Sequence, residues 1–159
     1  MEKKMNNKGF SLVELIIVVA IMAVLIGVLA PTYLKYVENS KKTADCSAIG
    51  SMLDACEVTA IDPSVDWATS ETITITESNG TLTITSSAGN TSASEALAAI
   101  EVVLGGLTAD LEGAWAQVGY KIVASKDTDG NVEFKVTTNT AAVAEITKAN
   151  AALGKRLTE

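Results

Sequence analysis

A single carboxylate, Glu14, interrupts an otherwise apolar segment near the N-terminus. Lys8 is the last charged residue before it, and Lys35 is the next one after it. A carboxylate among apolar groups is tolerated when a cation pairs with it, because desolvating an unpaired charge costs several kcal/mol. The spacing therefore predicts that Glu14 binds a cationic group.

A long apolar helix is the element that must position this carboxylate. Residues 10–30 read FSLVELIIVVAIMAVLIGVLA, and residues 15–30 are apolar without exception. As a helix, this stretch measures about 31 Å, which matches a bilayer core of about 30 Å. Lys3, Lys4 and Lys8 precede it, and a basic segment before a span tends to stay cytoplasmic. We therefore expect the chain beyond the helix to lie outside the cytoplasmic membrane.

Two general interpretations of this segment leave details unexplained. A cleaved secretory signal peptide needs a small-x-small site, and Val28-Leu29-Ala30 offers one. Pro31 follows that site directly, which is a poor context for cleavage, and Glu14 is out of place in such a peptide. A plain membrane anchor accounts for the length of the helix but gives Glu14 no role.

A third interpretation rests on residues 8–15, which read KGFSLVEL. This stretch resembles the prepilin signature of type IV pilins and related pseudopilins. The resemblance implies that a prepilin peptidase cuts between Gly9 and Phe10 and N-methylates Phe10, so that the apolar helix is retained. It also implies that Glu14 pairs with the α-amine of Phe10 in a neighbouring subunit and sets the axial register during assembly. Glycine before the cut allows the close backbone approach that a protease site needs.

The same resemblance divides the chain into three parts: a cleaved leader (1–9), a transmembrane and filament-core helix (10–31), and an amphipathic helix with a globular head (32–159). Pro31 lacks an N–H group and would free the carbonyl of Gly27 one turn earlier, so these two residues predict a kink or a locally unwound turn. The implied partners are the prepilin peptidase, an assembly ATPase acting through a membrane platform protein, and further copies of the chain.

Beyond Pro31 the pattern becomes amphipathic. Apolar residues recur at helical spacing until Asp62-Pro63, so one helix is predicted from about residue 10 to residue 61. Cys46 and Cys56 fall on the apolar stripe, about 15 Å apart along the helix axis, which is too far for a disulfide. We therefore interpret them as two small buried thiols.

The remaining residues predict a small head. Residues 71–86 alternate threonine with Ile73, Ile75, Leu82 and Ile84 around Asn79-Gly80, which is a strong hairpin signal. Further predictions are a helix over 96–104 capped by Ser92 and ended by Gly105, a second hairpin from 115–125 and 131–138, and a closing helix over 140–153 ended by Gly154. The expected fold class is α+β, in which a long N-terminal helix, hydrophobic in its first half and amphipathic in its second, packs against a small antiparallel sheet.

The composition excludes several kinds of chemistry. The chain has no histidine and two cysteines, which excludes a histidine base and a four-ligand Cys/His zinc site. Its net charge is −7, and an acidic chain disfavours a nucleic-acid partner. No cofactor is expected. Asp127 and Asp129 open a weak calcium-loop pattern, but its twelfth position is Thr138, so a hairpin turn is the favoured interpretation.

The expected function is therefore that of a structural subunit rather than an enzyme. The chain would be held in the cytoplasmic membrane with its N-terminus cytoplasmic, and would then polymerise into a surface type IV pilus used for adhesion, motility or a related role. One alternative is a pseudopilin of a type II secretion or DNA-uptake system. Another is a membrane-anchored binding protein whose head acts as a receptor.

Overall fold

The computed structural model describes residues 10–89, 94–113, 117–139 and 141–158. The chain divides into two units between Glu38 and Asn39, and each unit is described by itself. The elements in chain order are α1 (Leu12–Ile61), β1 (Thr72–Ser78), β2 (Thr81–Ser86), α2 (Glu95–Leu104), β3 (Thr108–Asp110), β4 (Lys121–Lys126), β5 (Val132–Thr138), α3 (Ala141–Ala149), α4 (Ala151–Gly154) and β6 (Leu157–Thr158). The predicted α+β fold class is confirmed.

The sheet has six strands in the order β3-β2-β1-β4-β5-β6. All of its pairs are antiparallel except β5 with β6, which is parallel. The predicted hairpin at Asn79-Gly80 is confirmed. Both residues have positive φ, 51° and 83°, as a two-residue turn that follows the twist of the strands requires. The alternating isoleucines and leucines of β1 and β2 face inward and are buried.

The inner face of the sheet shares one core with the second part of α1. That helix contributes the predicted stripe, in which Cys46, Ile49, Leu53, Cys56 and Ala60 are all buried. Both cysteines are free thiols, as expected. Burial is the main cause that raises the pKa of the Cys56 thiol to about 12, and it also raises the pKa of Cys46.

Helix α2 begins at Glu95, and the serine that caps it is not the one predicted from the sequence. The predicted cap, Ser92, lies outside the described residues, and Ser94 is the N-cap, because its hydroxyl accepts a hydrogen bond from the Leu97 N–H. The Ser94 hydroxyl also donates to the buried carboxylate of Glu71, which holds the cap in place. Gly105 ends the helix with a φ of 74°, as the sequence predicted.

The predicted single closing helix is wrong, because the chain breaks at Asn150. This residue is extended (φ −148°), and its side chain accepts hydrogen bonds from the N–H groups of Ala152 and Leu153. Asparagine competes well for such backbone donors, so it ends α3 and caps α4. Gly154 is the last residue of α4 rather than a stop beyond it.

The first strand of the second hairpin is shorter than predicted. It begins at Lys121, although the expectation placed its start at residue 115, which lies outside the described residues. Gly119 just before it has a φ of 68°, and its N–H donates to the carboxylate of Glu77. That positive φ turns the backbone out of strand geometry before β4 begins.

Strands β3 and β6 were not predicted. Each is held by a long-range partner: β3 pairs with β2, and β6 pairs with β5. Arg156, next to β6, binds Asp54 of α1 at 2.7 Å and Glu57 at 2.9 Å, and its guanidinium lies 5.5 Å from the centre of the Phe134 ring. These contacts tie the C-terminal segment to α1, and no local sequence pattern indicates them.

A buried carboxylate ties the loop after β3 to α1. Asp45, which is 1% exposed, accepts hydrogen bonds from the backbone N–H groups of Glu112 at 2.7 Å and Gly113 at 2.9 Å. Two neighbouring backbone donors of this loop, one of them buried, are therefore satisfied by one side chain.

We expect Asp45→Ala to destabilise the head by about 2–4 kcal/mol, because it leaves both N–H groups without an acceptor. Thermal unfolding of the detergent-solubilised chain, followed by tryptophan fluorescence, measures this change. Asp129→Ala is the matched control, since Asp129 is exposed, and it should shift the melting temperature little. Equal shifts in the two variants would contradict the assignment.

Candidate processing and assembly site

The first turn of α1 is closed by Ser11 and Glu14. The Glu14 carboxylate (Oε2) accepts a hydrogen bond from the Ser11 N–H at 3.0 Å, and the Ser11 hydroxyl accepts one from the Val13 N–H at 3.3 Å. This reciprocal arrangement is a capping box in which the serine hydroxyl binds the second helical N–H rather than the third. Only an intermolecular partner was predicted for Glu14, although Ser-x-x-Glu before an apolar run is itself the signal for such a box.

The cap leaves Glu14 able to hold a second donor. A carboxylate offers about four acceptor positions on two oxygens, and among the described residues the Ser11 N–H is the donor recorded for it, on Oε2. The side chain is exposed. Its negative charge in the first turn also interacts favourably with the helix dipole. The geometry is therefore compatible with simultaneous capping and cation binding.

Phe10 lies immediately before the cap residue and is not helical. Its side chain is 86% exposed, so it is not packed into a core among the described residues. Gly9, the other residue at the predicted cleavage point, lies outside the described residues.

The helix that follows presents apolar side chains on every side. Large apolar residues from Leu12 to Leu34 are 46–72% exposed. Among the described residues, α1 is the one helix long and apolar enough to cross a membrane, by length and composition. It is assigned as helix without interruption through Gly27 and Pro31, and the kink at these residues stays a prediction.

Asp127 and Asp129 lie in the turn between β4 and β5. The Asp127 carboxylate accepts hydrogen bonds from the N–H groups of Asp129 and Asn131 and from the Asn131 side-chain amide. The hydrogen bonds from Asn131 are the main cause that lowers the pKa of Asp127. Its oxygens thus close the turn, and within the described residues no group of three His, Cys, Asp or Glu side chains is placed to hold a metal ion.

Comparison with known proteins bears on this N-terminal region. A family model described as the prokaryotic N-terminal methylation motif matches residues 4–30. This chain carries that motif. The matched segment includes Gly9, Phe10, the Ser11–Glu14 capping box and the apolar part of the helix.

Relatives extend the similarity along the motif-bearing part of the chain. A type IV major fimbrial protein FimA of Dichelobacter nodosus is 36% identical over 73 residues, which cover 42% of this chain and 47% of that protein. A second FimA of the same organism is 39% identical over 59 residues, covering 37% of this chain and 38% of the relative. The matched region thus spans less than half the length of these relatives. No solved structure matches the chain. The resemblance to type IV pilins is confirmed.

We expect Ser11→Ala to weaken the first turn of α1 by about 1 kcal/mol, because it removes the acceptor of the Val13 N–H. Hydrogen exchange in detergent micelles should show the Val13 amide exchanging about fivefold faster, with amides two turns further on unchanged. Ser11→Asp restores an acceptor and should restore protection. Unaltered Val13 exchange in Ser11→Ala would contradict the cap.

Proposed function

We propose that this chain is the structural subunit of a type IV pilus, cleaved after Gly9, anchored by residues 10–31 and polymerised through the same helix. The observation that carries the proposal is the order of features at the N-terminus. A basic segment with glycine and Phe10 precedes a capped helix start with Glu14, and the helix then exposes apolar side chains on all sides. The fimbrial relatives support this assignment.

The apolar helix explains storage in the membrane but not, by itself, assembly. Lipid tails are as apolar as leucine, so moving this helix from lipid to a bundle of copies gains little hydrophobic free energy. Glu14 provides a free-energy gain on assembly that the apolar surface does not, because its charge is costly in hydrocarbon unless it is paired. Cleavage creates that partner: the new amine on Phe10 of a neighbouring copy.

The carboxylate therefore selects the register in which subunits add. An incoming subunit relieves an unpaired charge only when its Glu14 lies level with the amine of Phe10 in the copy already in place. Pairing of this kind provides specificity more than net stability. The cap on Ser11 keeps the Glu14 side chain at the helix start, where an incoming amine can reach it.

The partners follow from this scheme. A prepilin peptidase would cut after Gly9 and methylate Phe10, and an assembly ATPase acting through a membrane platform protein would extract subunits. The basic leader favours a cytoplasmic N-terminus, with the head outside and at the cell surface after assembly. From residue 43 onward the chain has 6 basic and 16 acidic residues, which favours a soluble filament surface and disfavours direct DNA binding.

A pseudopilin of a type II secretion or DNA-uptake system is the second candidate, because the N-terminal features are the same. Electron microscopy of the wild-type cell distinguishes the two. Long sheared surface filaments that contain this chain support the pilus, whereas short structures confined to the cell envelope support the pseudopilin.

We expect Glu14→Gln to reduce sheared surface filaments at least tenfold while processed subunits accumulate in the membrane. Glutamine keeps the oxygen that caps Ser11 but lacks the charge that pairs with an amine. Ser11→Ala is the matched control, since it weakens the cap, leaves the charge and should still assemble. Quantitative blotting of shear and membrane fractions measures both variants. Filaments at wild-type level in Glu14→Gln would refute the charge-pairing role.

We expect Gly9→Val to block processing, because a branched side chain prevents close backbone approach at the cut. Intact-mass analysis of membrane fractions should find residues 1–9 retained, whereas the wild-type chain should begin at methylated Phe10. Asn7→Val places the same branched side chain two residues earlier and should still be cut. Normal cleavage of Gly9→Val would show that the site lies elsewhere.

A further inference from the structure

Helix α2 exposes two neighbouring valines on the side that it turns away from the core. Its inner face buries Ala96, Leu97 and Ile100. On the other side Val102 is 84% exposed and Val103 is 53% exposed. Ala98 and Ala99, one turn before these valines, are half-buried. Glu95 and Glu101 of the same helix are exposed as well, so Val102 and Val103 form a small apolar surface with acidic neighbours that a partner can cover.

A groove lies at the other side of the head. Val58 and Ile61 of α1 form one wall, and Gly130 with Val132 forms the other. Val58 is 53% exposed and Ile61 is 74% exposed. The groove thus offers aliphatic groups of the same kind as those on α2.

The acidic residues that border the groove are paired. Asp54 and Glu57 both bind the guanidinium of Arg156, at 2.7 Å and 2.9 Å. Their pairing leaves a groove that an aliphatic surface can enter without desolvating isolated carboxylates, despite the acidic character of the chain.

The two surfaces lie at opposite edges of one sheet. Helix α2 packs against β2 and leads into the edge strand β3, whereas the groove includes Val132 of β5, next to the edge strand β6. They cannot meet within one chain. When the α2 face of one copy meets the groove of a second copy, the first copy still has a free groove and the second still has a free α2 face. The contact is therefore heterologous and open-ended.

We propose that the outer face of α2 docks into the Val58–Ile61 groove of the next copy of this chain. The contact rests on the proposed pilus function, since an open-ended contact is what a filament repeats. A different protein would cover one of these surfaces and leave the other exposed, whereas a second copy covers both.

The size of the surfaces also favours a second copy. A few aliphatic side chains bury far less than the roughly 800 Å² per partner of a stable complex. Free heads are therefore expected to stay apart, and the contact forms where packed helices hold the heads at a high effective concentration.

Disulfide cross-linking in assembled filaments tests the contact. The variant Val102→Cys/Ile61→Cys carries one thiol on each surface, and docking should bring the two within the short range that a disulfide requires. Mild oxidation of sheared filaments should convert the monomer band into a ladder that extends beyond dimers on a non-reducing gel. The native Cys46 and Cys56 are buried, so wild-type filaments should give no ladder.

The matched control is Val102→Cys/Lys135→Cys, because Lys135 is exposed on the opposite face of β5, and it should stay monomeric. Filaments without a ladder in the Val102→Cys/Ile61→Cys variant overturn the contact and leave the pilus function standing. Dimers from Val102→Cys alone also overturn it, since they show that α2 pairs with itself. Absence of filaments from the wild-type chain overturns both proposals.

Discussion

Among the described residues, the apolar side chains of the first part of α1 are exposed, and this constraint governs what the helix can do. Its large apolar side chains are at least 46% exposed from the first turn onward, and exposing so large an apolar surface to water is unfavourable. Lipid and other copies of the helix are the two environments that satisfy it. The head must therefore fold without drawing on this segment, and its core begins at Cys46.

Glu14 connects the fold of the helix with its proposed assembly. A charged side chain at this position lowers the stability of the helix in lipid, yet the same carboxylate completes the hydrogen bonding of the first turn. The two roles use different properties: the cap needs an oxygen acceptor, and pairing needs a charge. A single residue can satisfy both because a carboxylate has more acceptor positions than the cap occupies.

Local patterns predicted the parts of the fold that local physics determines. Asn79-Gly80 fixed the central hairpin because few residue pairs accept positive φ at both turn positions, and the α1 stripe followed from helical periodicity. The break at Asn150 was missed because an alanine-rich run predicts a continuous helix until its cap is seen. Strand β6 pairs with β5 across an intervening pair of helices, and Arg156 binds Asp54, 102 residues away. No local window of sequence contains either partner. At the proposed assembly site, cleavage before Phe10 and charge pairing by Glu14 stay predictions, whereas the capping role of Glu14 was overlooked.

The Arg156 contacts determine how the head responds to its surroundings. They join the C-terminal strand to α1 through two ion pairs and one cation–π contact, with both cysteines left as buried thiols. The fold of the head therefore contains no disulfide that a reductant could break. The variable that acts on this closure is ionic strength, because salt screens partly exposed ion pairs.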